Sequence, residues 1–130
     1  MTDGAFVEAF EACTLPAERF DHREHVRLAW IYLCEQPLLE ALPRFITSLK
    51  RYAGSLGAST KYHETITYAF MFLIHERMQR GAADTFDEFA AANADLFGPI
   101  LQRYYRAETL GSDLARSTFL LPDASYEIFR

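Results

Sequence analysis

One stretch restricts the fold more than any other: residues 60–80, TKYHETITYAFMFLIHERMQR. Its middle, residues 66–74, is the most apolar run of the chain and is broken only by Thr67 and Tyr68. A helix that is apolar all round is normally buried all round, so the other elements must surround this one. The run is too short, and too closely flanked by charge, to span a bilayer. Ser59 or Thr60 can cap it and Gly81 can stop it, so the spacing predicts a central helix over 60–80.

Helical periodicity recurs on both sides. Phe6, Val7 and Phe10 mark a helix over 3–13, with Asp3 as its cap. Asp21 and Glu24 have the form of a capping box, and they open a helix over 22–36 that carries Val26, Ala29, Trp30 and Leu33 on one side. Leu39, Leu42, Phe45, Ile46 and Leu49 stripe a third helix over 37–56, where Pro43 leaves a break open. Thr85 and Glu88 repeat the capping box for a helix reaching about residue 96. A Leu-, Tyr- and Arg-rich segment covers 99–106, and Ser112 can cap a last helix over 113–119. The tail still holds Tyr126, Ile128 and Phe129, which predicts packing onto the domain or onto a second chain. No strand alternation, internal repeat or low-complexity segment interrupts the pattern. The expectation is an all-α, single-domain bundle over 1–130, with five to seven helices around the central one.

Composition narrows the partners. A chain of 130 residues, half of it hydrophobic, suffices for one core and not for two. A net charge of -5 with scattered basic residues argues against nucleic acid. The start, MTDGAFVEAFEAC, lacks the basic and apolar blocks of a signal peptide. Cys13 and Cys34 form no C-x-x-C pair, and each reads as a small buried hydrophobe in a reduced, cytoplasmic protein. The expected partners are a small molecule and a second copy of this chain through the Tyr104 and tail region, not a membrane.

The histidines carry the chemistry. His22 and His25, three residues apart, lie one turn apart on one helix face, and that face continues inward through Ala29. His63 opens the central helix on a face that continues through Thr67, Phe70 and Ile74. If the two helices start at the same end of the bundle, the three imidazoles can converge on zinc or another divalent ion with one position open to water. Such an ion makes its water acidic enough to attack near neutral pH, so a metal-assisted hydrolase is the first enzymatic reading. Glu64 and Glu24 adjoin two of the ligands and could serve as catalytic base or orienter. Lys61, Tyr62, Thr65, Trp30 and Arg116 are candidate ligand contacts, with Lys61 and Arg27 suited to an anionic group. His75 lies about 120° round the helix from His63 and stands apart.

The alternative is a metal-free binding, accessory or dimerisation domain. Its histidines would form a structural hydrogen-bond network with Thr65, Thr67 and Asp123. H-x-x-H lacks the spacing and glutamate of H-E-x-x-H. No G-x-S-x-G, phosphate-binding glycine loop or dinucleotide fingerprint is present. The adjacent Tyr104 and Tyr105 cannot both face inward on a helix, so one of them should reach a pocket or an interface.

Three blocks, FDHREHVRLAWIYL, KYHETIT and YYR followed by ARSTFLLPD, together resemble a group of small uncharacterised bacterial proteins. That group combines F-x-H-x-x-H-[LV]-x-x-A-W-x-Y-L, K-Y-H-x-T-[IT]-T and A-R-x-x-F-[LV]-x-P-D. The resemblance covers about half the chain and brings no activity with it. It singles out Phe20, His22, His25, Trp30, Lys61, Tyr62, His63, Thr65, Arg116, Pro122 and Asp123. The ending ASYEIFR departs from the pattern by being poorer in proline.

Overall fold

The computed structural model describes residues 1–124, so the expected packing of Tyr126, Ile128 and Phe129 lies outside the described residues. Among those residues there are seven α-helices and no strand: α1 (Asp3–Glu11), α2 (His22–Glu35), α3 (Leu38–Ser55), α4 (Glu64–Arg80), α5 (Phe86–Ala92), α6 (Ala107–Leu110) and α7 (Asp113–Ser117). Short 3-10 turns occupy Ala17–Arg19, Ser59–Lys61, Ala94–Phe97 and Ile100–Arg103. None of the described helices is long and apolar enough to cross a membrane.

The central position of α4 follows from its apolar circumference. It packs against α2, α3 and α7, burying Thr65, Thr67, Ala69, Met71, Leu73 and Ile74. Ile66, Tyr68, Phe70 and Phe72 are half-buried against the same core. Each large apolar side chain fully withdrawn from water here is worth about 1.5–3 kcal/mol.

Beside it, α1, α2 and α3 enclose an aromatic centre. Phe10 is fully buried, with Tyr52, Phe20 and Phe45 at 5.3, 5.7 and 6.1 Å between ring centroids. Polar bonds lock the three helices together at their edge. The Tyr32 hydroxyl donates to the Glu11 carboxylate (2.7 Å), and Arg44 Nε donates to the same oxygen (3.2 Å).

Three of the expected caps form: the Asp21, Thr85 and Ser112 side chains accept the amides of Glu24, Glu88 and Ala115. In α1 the cap is Thr2, which accepts from Ala5, while Asp3 is the first helical residue and pairs with Arg27 at 2.8 Å. Pro43 does not break α3; it lies one turn in and removes only its own amide bond to the preceding turn. Cys13 ends α1 with φ 60°, a left-handed turn that lets the Thr14 amide return to the Ala9 carbonyl at 2.8 Å. The cysteines are less buried than their surroundings in sequence suggest: Cys13 is half-buried and Cys34 exposed.

The second half departs further from the pattern. The helix expected to reach residue 96 stops at Ala92. Asn93 turns out of it, with its side chain bonded to the Phe89 carbonyl and to Arg77. Arg77 then holds Asp95 with two bonds, 2.8 and 2.9 Å, and fixes the following 3-10 turn. Within residues 99–106 the chain forms only a 3-10 turn, Ile100–Arg103, and α6 follows as a separate turn. Tyr105 is buried and donates to the Leu120 carbonyl (2.8 Å), while Tyr104 is half-buried.

Candidate functional site

Helix α4 begins at Glu64, four residues later than its apolar pattern suggests, because Tyr62 and His63 are extended. His63 is therefore the cap and not a first-turn residue. Its Nδ1 accepts the Ile66 amide (3.1 Å) and its Nε2 donates to the Leu110 carbonyl at the end of α6 (2.7 Å). An imidazole that accepts at one nitrogen and donates at the other is neutral, with its proton on Nε2.

The other two histidines of the set turn elsewhere. Packing of α2 against α4 does occur, but the rings do not converge. His22 Nε2 bonds the Leu96 carbonyl (3.0 Å). His25 lies between Phe20 and Phe45, with ring centroids at 5.1 and 5.6 Å. Among the described residues no group hydrogen-bonds the His25 ring. No fully buried side-chain nitrogen or oxygen among them lacks a partner either, so the ring nitrogens of His25 reach open space. Burial first, and repulsion from His22 second, lower its pKa to about 4. His25 is therefore a neutral imidazole at pH 7, able to donate at one nitrogen and accept at the other.

The open space beside His25 is a cleft of about 390 Å³ between α2, α3 and α4. One wall is the α3 face Leu49, Tyr52, Ala53 and Leu56, at i, i+3, i+4 and i+7. The opposite wall carries Lys61, Tyr62, His63, Ile66 and Thr67, and Phe20 adjoins. Most of this surface is apolar. The polar groups in it are largely spent: Tyr52 donates to the Leu15 carbonyl (2.8 Å) and Thr67 to the His63 carbonyl (2.8 Å). A smaller cavity of about 70 Å³ also borders His25, lined as well by His22, Ala29, Phe70 and Ile74. His25, Ile66 and Thr67 border both spaces.

The three-histidine metal centre is thus not assembled. His22 and His25 border the small cavity and His25 and His63 the cleft, but His22 and His63 border no common space. Both nitrogens of His63 are occupied, as is Nε2 of His22. Among the described residues no three His, Cys, Asp or Glu side chains are grouped as a metal ion requires. The donor set does not fit zinc.

The two glutamates hold other side chains. Glu64 Oε1 accepts the Tyr62 hydroxyl (2.5 Å) and lies 3.9 Å from Lys50 Nζ. Lys50 in turn sits 4.9 Å from the centre of the Tyr62 ring. Burial first, then the bond to Glu64, push the Tyr62 hydroxyl well above its ordinary pKa, so Tyr62 stays protonated and serves as a rigid wall. Glu24 turns to Arg27 at 3.1 Å, among surface residues that include none of the histidines.

Three expected ligand contacts lie outside the cleft. Trp30 packs on Phe86 at 5.8 Å. Thr65, fully buried, donates to the Thr118 carbonyl (2.8 Å) and accepts the Leu120 amide (3.1 Å). Arg116 donates to the Thr60 carbonyl (3.0 Å) and steadies the turn before Lys61. Asp123 does not join the histidines; it binds the Arg106 amide and the Thr109 hydroxyl. Lys61 and Tyr62 do face the cleft. The α3 wall and Lys50 were missed, although the stripe that includes Leu49 continues through Tyr52, Ala53 and Leu56 at helical spacing. No protein-family model, curated protein or solved structure matches this chain.

Proposed function

We propose that this protein binds a small, largely apolar organic molecule in the cleft between α2, α3 and α4, without a metal, and that His25 is its polar contact. The observation that carries this reading is the His25 ring. It is held between two aromatic rings, kept neutral, and left without a hydrogen-bond partner among the described residues, beside a space of about 390 Å³. An apolar pocket with few convergent polar groups is the usual form of a small-molecule site. With a pKa near 4, His25 is a weak base at pH 7, which favours recognition by hydrogen bonding over proton abstraction.

The test is a titration of neutral fragments, each with one polar group, followed through the histidine ring signals by NMR. At least one fragment should shift the His25 ring and lose its effect in His25→Leu. A library that leaves the His25 ring untouched would overturn the reading. One equivalent of zinc should leave the melting temperature unchanged. Zinc that shifted the rings of His22, His25 and His63 together would restore the metal centre instead.

A further inference from the structure

The cleft is not the only space that His25 borders. The smaller cavity is apolar on most of its surface, with Val26, Ala29, Phe70, Met71 and Ile74 in its lining. The two spaces share His25, Ile66 and Thr67, which places these three residues at the boundary between them. Among the described residues the uncommitted side-chain hydrogen-bonding groups of the inner lining are the His25 ring, at this boundary, and the remaining nitrogen of His22. Thr67 has given its proton to the His63 carbonyl and can only accept there.

We infer that the cleft and the small cavity are two chambers of one ligand site with His25 at the neck. The ligand then carries its polar group internally, as a ketone, ester or secondary alcohol, between a broad apolar body and a short apolar arm. This rests on the function proposed above and adds the shape and chemistry of the ligand. Volume sets the lengths. A cavity of about 150 Å³ is needed for benzene, and a water occupies about 30 Å³ of liquid. The inner chamber of about 70 Å³ therefore excludes a ring and takes an unbranched arm of about two or three heavy atoms. The outer chamber of about 390 Å³ accepts a ring and its substituents. A carbonyl at the neck would accept from His25, and a hydroxyl could also donate to Thr67.

The probes are phenyl alkyl ketones with methyl, ethyl, propyl and butyl arms, with propylbenzene as a matched hydrocarbon, measured by calorimetry on the full chain. Affinity should rise about fourfold per added carbon, the value of one buried methylene, up to the ethyl or propyl arm, and then fall. Propylbenzene should bind at least fivefold more weakly than the ethyl ketone, whose chain length it matches, and His25→Leu should abolish that difference. Ala29 and Ile74 border the inner chamber alone. Ala29→Val should move the optimum to a shorter arm and Ile74→Val to a longer one, so either variant suffices if the other folds poorly. An affinity that keeps rising to the butyl arm, an optimum unmoved by both variants, or no binding by any ketone would overturn the two-chamber site. The simpler reading survives those results if another fragment still shifts the His25 ring.

Discussion

Consider His25→Leu measured beside the unaltered chain at pH 7, 6, 5 and 4. In the folded protein the His25 imidazole takes up its proton near pH 4, against an ordinary value of 6.5. Between those values the unfolded chain binds more protons than the folded one, so stability falls as the pH falls and is fully present only above 6.5. The full gap is worth about 3 kcal/mol, at about 1.4 kcal/mol per pKa unit, and about 2 kcal/mol of it is lost between pH 7 and pH 5. Urea denaturation should show this as a midpoint about 1 M lower at pH 5 than at pH 7, for an m-value of about 2 kcal/mol per M. Leucine cannot be protonated, and at pH 7 it replaces a polar ring that has no hydrogen-bond partner among the described residues with an apolar side chain, so the variant should be as stable as the parent or more so. The gap between the two proteins should then widen by about 2 kcal/mol on going to pH 5. The carboxylates do not confuse the comparison. Asp95 is held at about 2, chiefly by its bonds to Arg77, and its contribution is lost below its ordinary value of 3.8. Parallel pH profiles for parent and variant would refute the reasoning, as would an NMR titration of the His25 ring centred near 6.5.

Further outcomes follow from the polar clasps. His63→Ala should cost about 1–2 kcal/mol in denaturant melts, the usual cost of a lost cap, and His63→Asn should recover most of the cap's share. Thr65→Val keeps the shape but strands the Thr118 carbonyl and the Leu120 amide. It should cost about 1–3 kcal/mol and speed hydrogen exchange at Leu120 more than at α2 amides. Arg77→Ala leaves Asp95 and Asn93 without their shared donor. It should lower stability at pH 7 by about 1–3 kcal/mol and shrink the loss below pH 4 that Asp95 otherwise causes, with the remainder coming from Arg103 at 3.1 Å.

The bundle was legible where local chemistry and long-range packing agree. Asp21, Thr85 and Ser112 cap the helices they precede, and the circumference of α4 announces a surrounded helix. The start of α4 was not legible, since Ser59 and Thr60 are better caps by type than His63. Contacts distant in sequence decide it. Arg116 holds the Thr60 carbonyl in a separate turn, and the Leu110 carbonyl draws the far nitrogen of His63. The same reason separates the histidines. Their spacing on α2 is right, but His22 is aimed by a carbonyl 74 residues away and His63 by one 47 residues away. No local pattern encodes either partner. His25 remained legible because its inward position on α2 needs only the helical period.

The bonds that His63 and Thr65 make to the end of the chain have a kinetic side. They close loops of 47 and 53 residues, whereas α1, α2 and α3 meet through neighbouring segments. Loop closure over such spans carries an entropic cost before any contact compensates it. The segment from α6 to Leu120 should therefore dock after α1, α2 and α3 have met, as should the turn at Leu96 that His22 holds across 74 residues. His63 and the turn at Thr60 border or precede one wall of the cleft and are held from that segment. The lifetime of the cleft wall is thus tied to how long that segment stays docked, and a bound molecule would lengthen it by holding the wall from inside.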